Sequence, residues 1–320
     1  LATANISLAN VQRDVGQNSE ETYRDAARAF DALIQARPEI PRYRFNRATA
    51  LVNLAWLLNQ SAPGIDGQSE EAQQLAVEAT NEFIRLAGGY PEGAEYADGE
   101  AASRSVLGEI LRDRRELGLA EDMFVRAADH YATRIYDLGD GSPPQYRDLL
   151  AVNVSHSAQI TAIIGSSEGA EVEDATEKLN SAVRQWKEAF EQIRPLVPAS
   201  HEGSEVPQYY DDAAWILSHL ADGLWRLGRK DEARKYAQLA VGMRLCVGVT
   251  SPQHSDNAAW LLVHSLVPDI HNAEEAVEWA RHATDAAPSN PDYQNTLAAA
   301  YLEAGDVKKA EAALSLAEKN

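Results

Sequence analysis

Six residues of alternating size recur at fixed spacing along this chain, and the ladder they form leaves few folds open. In Leu220, Ala221 and Leu224 the offsets are 0, +1 and +4, one face of a helix with 3.6 residues per turn. Ala233, Ala237 and Ala240 follow at +13, +17 and +20, a stripe on a second helix beyond Gly228. The small residues let two helices approach, and the large ones fill what space remains. Leu107, Gly108, Leu111, Ala120, Phe124 and Ala127 keep all six offsets, as do Leu297, Ala298, Tyr301, Ala310, Leu314 and Ala317. A recurring helical hairpin predicts a repeat protein whose core grows by stacking.

Other stretches carry the same ladder with a longer hinge. Leu54, Ala55 and Leu58 are followed by Ala72, Ala76 and Ala79, which begin at +18 rather than +13. Ser157, Ala158 and Thr161 lead in the same way to Ala175, Leu179 and Ala182, and Ala258, Ala259 and Leu262 to Ala276, Ala280 and Ala283. The extra residues predict exposed loops at Gln60–Ser69, Gly165–Asp174 and Val263–Ala273, all on one side of the array. A first, degraded unit starts at Leu8 and Ala9, breaks at Gly16 and resumes at Tyr23 and Ala26.

Tyr43, Tyr96, Tyr146 and Tyr209 each precede a ladder start by eleven residues, so the first helices begin near them and exceed four turns. The second helices stay helix-compatible as far as Gly88-Gly89, Gly139 and Pro195. The whole is expected to be roughly three-quarters helix, without strands, well above the ordinary share. Seven approximate units result, at 6–38, 43–91, 96–142, 146–198, 209–250, 255–288 and 290–320, one solenoid over residues 1–320. The fold class expected is all-α, a right-handed α-α superhelix of about seven helix hairpins with one concave groove.

The ladder resembles that of the tetratricopeptide repeat (TPR), from about Ile6 to the end of the chain. Tyr43-Arg44, Tyr146-Arg147, Asn53-Leu-Ala-Trp-Leu-Leu58 and Ala259-Trp-Leu-Leu262 are similar to a narrower group. That group is the repeat arrays carboxy-terminal to the catalytic domain of some bacterial serine/threonine kinases. The resemblance implies a non-enzymatic module that binds a protein or peptide, as scaffold or sensor, in the partner-binding region of such a kinase. Its alternative is a small-molecule sensor with a pocket in the groove. No kinase phosphate loop, His-Arg-Asp or Asp-Phe-Gly motif occurs in the chain itself.

Composition narrows the partners. A formal charge of −20 argues against nucleic acid or an anionic membrane. No window approaches the ~18 apolar residues of a membrane span. A single cysteine, Cys246, excludes an internal disulfide framework. The chain begins at Leu1 without a basic-then-apolar leader, as expected of a piece of something longer, and the compartment stays open between cytoplasm and periplasm.

Chemical motifs fail on inspection. Gly165-Ser-Ser-Glu-Gly169 matches G-x-S-x-G, but that motif needs a strand before Ser167, and none is predicted. Gly223 to Lys230 lacks the Gly-Lys-Ser/Thr of a phosphate loop, and His201-Glu202 lacks a second histidine at Glu205. His264 and His271 flank a long hinge with Asp269 and could share a metal, though surface histidines explain them as well. A terminal-carboxylate clamp would use Asn10 and Asn53, but no lysine faces them. Neither cofactor nor catalytic residue is therefore expected.

What remains is a face. Offsets −2, +2 and +5 of a first helix lie about 120° from the ladder, where this fold lines its groove. They hold Trp56 and Trp260 at +2, Trp225 at +5, and Glu109, Arg112, Gln159 and Asp222, with Trp215, Arg226 and His264 close by. Tryptophan and arginine are enriched at binding hot spots. The same rings could equally pack against the next hairpin, since tryptophan is mostly buried wherever it sits.

Overall fold

A computed structural model describes residues 2–14, 19–61, 66–166, 172–198, 206–247 and 251–317. Among them there is no strand. The chain divides into two compact units, Leu1–Ile160 and Thr161–Asn320.

The first unit is built from α1 (Ala2–Asp14), α2 (Glu20–Ala36), α3 (Pro41–Ser61), α4 (Asp66–Gly89), α5 (Ala94–Asp113), α6 (Leu117–Leu138) and most of α7 (Pro144–Gly165). Helices α1/α2, α3/α4 and α5/α6 pack as hairpins, and α2 on α3 and α4 on α5 join one hairpin to the next. The second unit holds α8 (Val172–Ile193), α9 (Pro207–Arg226), α10 (Lys230–Val247), α11 (Pro252–His264), α12 (Ala273–Ala286), α13 (Pro291–Glu303) and α14 (Val307–Ala317). Its hairpins are α9/α10, α11/α12 and α13/α14.

Local chemistry sets the helix ends. Helices α3, α7, α9, α11 and α13 open on proline, whose missing N–H costs nothing in a first turn. Ser251, Asn272 and Asn290 cap α11, α12 and α13 with side-chain oxygens that accept from His254, Glu275 and Tyr293 N–H. The long first helices begin within a few residues of Tyr43, Tyr96, Tyr146 and Tyr209, as the spacing requires.

The three short hinges close alike. The N–H groups of Glu116, Arg229 and Asp306 donate to the carbonyls of Leu111, Leu224 and Tyr301 at 2.8, 2.9 and 2.8 Å. This is the six-to-one bond of a Schellman motif. It needs a left-handed residue, supplied by Gly228 (φ 75°) and Gly305 (φ 77°), but in α5/α6 by Arg115 (φ 64°).

The ladder is the core. Leu220, Ala221, Leu224, Ala233, Ala237 and Ala240 are all fully buried, as are Ala120, Phe124 and Ala127. Small residues stand where rings approach: a Cβ added to Gly108 would come within 2.8 Å of the Phe124 ring. One added to Gly223 would meet Trp186 at 2.9 Å. Leu314 breaks the pattern at 41% exposure, since no described hairpin follows to cover it.

The long hinges depart from expectation. Helix α4 already starts at Asp66 and buries Ser69, so Gln60–Ser69 is mostly helix ends, with 62–65 outside the described residues. Gly165 closes α7 and Val172 opens α8, leaving 167–171, with Ser167, outside them. Between Val263 and Ala273 the chain is a true loop, yet it buries Val267 and Ile270 against the unit. Extra hinge residues thus extend helices or tuck inward, because apolar side chains there gain more by burial than by exposure. Helix therefore takes 88% of the described residues, above the three-quarters expected. Gly16, His201, Glu202 and Glu205 also lie outside the described residues.

Candidate functional site

Within each unit, successive first helices meet along the face beside the ladder, so its side chains can be followed from helix to helix. In the first unit this face is polar. The Asn10 side-chain oxygen accepts from Tyr23 Oη at 2.6 Å and from Asn53 Nδ2 at 3.3 Å, so both amides are tied to one another. Trp56 on α3 is half-buried, with the Arg13 guanidinium 5.5 Å from its ring centroid. Asn59 donates to Asp113 at 2.8 Å. From α5, Arg112 reaches His156 Nδ1 at 3.1 Å and Gln159 Oε1 at 3.2 Å on α7, and Asp113 at 3.0 Å. His156 also lies flat on Phe124, centroids 4.7 Å apart.

Glu109 sits in this row, its carboxylate 3.9 Å from His156 Nε2 and its side chain 21% exposed. Burial pushes its pKa up to about 7, against the opposing pull of Arg112.

In the second unit the face is aromatic. Trp215 is half-buried on α9 with its ring 4.7 Å from His219, which in turn lies 5.8 Å from the buried Trp186 of α8. Trp260 on α11 is 45% exposed and stacks on His264, centroids 4.8 Å apart at 16°. His264 Nδ1 lies 3.1 Å from the Trp260 carbonyl, which fixes the ring over the indole. Arg226 is exposed at the end of α9.

Two of the residues predicted for this face serve the fold. The Asp222 carboxylate accepts from Leu266 N–H at 2.8 Å and Ser265 Oγ at 3.2 Å, holding the loop after α11; burial raises its pKa. Trp225 turns to α10, with Lys230 Nζ 3.4 Å from its ring centroid and Arg234 at 5.8 Å. At +5 of a short-hinge unit a side chain is already within reach of the second helix, which the wheel of an isolated helix does not show.

The histidines at the long hinge do not converge on a metal. His264 is stacked on Trp260, His271 Nε2 lies 2.7 Å from the Ser265 carbonyl, and Asp269 pairs with Arg234. Among the described residues no group of three His, Cys, Asp or Glu is placed to hold a metal. A shallow depression between α10, α11 and α12, walled by Val241, Leu245, Leu261 and Trp279, encloses about 10 Å³, far below the ~300 Å³ where ligand pockets begin. No helix among the described residues is long and apolar enough to cross a membrane.

Residues at offset −1 were missed by the helical wheel. His156, His219 and Asn257 stand there; the Asn257 amide donates to Asp211 at 2.9 Å, and Asp211 pairs with the buried Arg244. The signal was available, for −1 lies beside +2 and +6 on one flank of a helix.

No family model matches the chain, and no curated protein matches it. Solved structures do. The Rap conjugation gene regulator of plasmid pLS20, solved with the Phr* peptide, superposes with a TM-score of 0.54 at 13% identity, over 99% of this chain and 71% of that one. BtubC (BKLC) from P. vanneervenii gives 0.46 at 18% identity, over 78% of this chain and 90% of that one. YrrB, described as a TPR protein with an unusual peptide-binding site, gives 0.30 at 14%, over 74% and 91%. The likeness to the Rap regulator speaks for the fold: an all-α array of TPR-like hairpins.

Proposed function

We propose that this chain is a non-enzymatic binding module that takes a protein or peptide segment along its first-helix faces. The observation that carries the reading is the Trp260–His264 stack, an indole left 45% exposed on a first helix while the ladder beside it is sealed. An accessible, ring-braced tryptophan gives contact area at little cost in side-chain order. Trp56, Trp215, Arg112 and Gln159 extend the contact surface within their own units. The fold shared with a regulator solved holding a peptide favours a peptide over a metabolite. The narrower resemblance to kinase-appended arrays makes the module the partner-reading part of a signalling protein whose chemistry is done elsewhere.

A random peptide library panned on the folded chain tests this. Selected peptides should shift tryptophan emission and lose at least tenfold in affinity for Trp260→Ala, with the melting temperature unchanged. Peptides that bind wild type and variant equally, or no enrichment at all, would refute it.

A further inference from the structure

The aromatic face of the second unit contains one arrangement twice. On α9, Trp215 is followed one turn later by His219, and on α11 Trp260 by His264. The indole and imidazole centroids are 4.7 and 4.8 Å apart in the two pairs. In both, the histidine Nδ1 lies against the tryptophan's own carbonyl, at 3.0 and 3.1 Å. A carbonyl only accepts, so the proton of the neutral ring is on Nδ1 and Nε2 is an acceptor.

The two pairs also stand level with each other. Helices α9 and α11 are joined by hydrogen bonds from Asn257 Nδ2 to Asp211 and from Leu266 N–H to Asp222. The first bond spans 46 positions of the chain and the second 44. Between them, residues side by side on the two parallel helices are therefore about 45 positions apart. Trp260 stands 45 positions from Trp215, and His264 stands 45 from His219. On α9, Asp211, Trp215, His219 and Asp222 fall at i, i+4, i+8 and i+11, and on α11, Asn257, Trp260 and His264 fall at i, i+3 and i+7. Each set is a single stripe of its helix, so the bridging residues and the rings between them share one seam.

We infer that this seam docks a proline-containing segment in the polyproline II conformation, with one proline on each indole. Packed helices run about 8–10 Å apart. A polyproline II chain returns to the same face every third residue, roughly 9 Å further on at ~3.1 Å per residue. A Pro-x-x-Pro register laid across the seam thus sets one ring on Trp215 and the next on Trp260. The electron-rich indole face suits proline C–H groups, and proline's fixed φ reduces the order lost on docking. The histidines favour an extended ligand over a helical one. Their Nε2 acceptors need a donor, which an extended backbone supplies between its prolines, whereas a helix has bonded its N–H groups to its own carbonyls. A shallow, aromatic-lined face without a deep cavity is the kind of surface such segments use. This inference rests on the binding reading above and gives it a ligand class.

Two blocked dodecapeptides test it, (Ala-Ala-Pro)4 and (Ala-Ala-Ala-Pro)3, each titrated into the full chain by calorimetry. Period three keeps every proline on one face, while period four turns each by about 120° and lengthens the step to roughly 12 Å. The period-three peptide should bind about tenfold tighter or better. Trp215→Leu and Trp260→Ala, each checked as folded by circular dichroism, should weaken it by about tenfold. Trp260→Ala, at the exposed side of the seam, carries the test if Trp215→Leu fails to fold. His264→Phe keeps a stacked ring but lacks the acceptor and should lose about fivefold, the worth of one hydrogen bond. Equal affinity for the two spacings, or no binding of either peptide, overturns the inference. Proline-free peptides recovered by panning would then leave the binding reading standing, so the two failures are told apart.

Discussion

The two units use the same ladder but leave opposite chemistry on their first helices. Around α5 and α7 of the first unit the face is charged and knitted: Arg112, His156, Gln159 and Asp113 are bound to one another, and Glu109 is buried beside them. Around α9 and α11 of the second it is aromatic, and the Trp260–His264 pair stands out from the body. The ladder residues beneath the two faces cannot account for the difference, since Leu107 and Leu111 in one unit and Leu220 and Leu224 in the other are all buried. Core and face are thus separable in this architecture: packing fixes where the faces lie, and residues off the ladder decide what they recognise.

The largest test asks whether the cores are equivalent. Phe124 is fully buried, fits against Gly108 and backs the His156 ring. Phe124→Ala should cost about 3–5 kcal/mol in denaturant unfolding. Leu220→Ala, at a fully buried ladder position of the second unit, should fall at about 2–5 kcal/mol. If Phe124→Ala left stability unchanged, the first unit's register would be wrong.

The next concerns the charged face alone. Burial pushes the Glu109 carboxyl from its ordinary 4.5 up to about 7. Between those values the native state holds more protons than the unfolded chain, so stability falls as pH rises through the window. The penalty is absent below 4.5 and complete above 7. Glu109→Gln removes it and should stabilise the protein at pH 8 by about 3 kcal/mol, with little effect at pH 4. In the second unit Asp256 on α11, pushed up to about 7 by burial, is the counterpart. It differs because one oxygen accepts from Thr296, whereas its Oδ1 is buried without a partner. Asp256→Asn should show the same pH dependence. A flat difference between wild type and either variant from pH 4 to 8 would exclude that carboxyl as a buried titrating group.

How much of this was legible in the sequence depends on the range of the forces involved. Ladder spacing, hairpin order and the starts of the long first helices follow from periodicity and proline, which act within a few turns. The long hinges were misjudged because glycine, proline and serine are compatible with both a loop and a helix end, and burial decides between them. On the face, Trp260, Trp56, Arg112 and Gln159 were named from the wheel, but Trp225 and Asp222 were not separable from them. Their orientation is set by Lys230 and by Leu266, partners from other helices or loops. His156 was invisible for the same reason, its ring being placed by Phe124 and Arg112.

A smaller effect contrasts the hinges. Gly228 and Gly305 take the left-handed conformation at no steric cost, while Arg115 holds φ 64° in the first unit. Arg115→Gly should stabilise by about 1 kcal/mol, the cost of a Cβ in that region net of glycine's greater unfolded freedom. A destabilised variant would show that the arginine side chain earns its place there by some contact.

The smallest stability effect is the most telling for function. Trp260 keeps 45% of its surface exposed, and the ring it stacks on, His264 of the same helix, is itself exposed. Trp260→Ala removes a ring left 45% exposed and should change unfolding free energy by less than about 0.5 kcal/mol, as surface substitutions do. Trp56→Ala should cost more, because that ring is half-buried and the Arg13 guanidinium lies over it. The comparison between faces then becomes a comparison between purposes. A tryptophan that can be deleted without harm to the fold is held by something other than folding, and contact with a partner is the use its exposure permits. If Trp260→Ala instead unfolds several degrees early, the aromatic face is packing surface, and the contrast between the units is one of core composition alone.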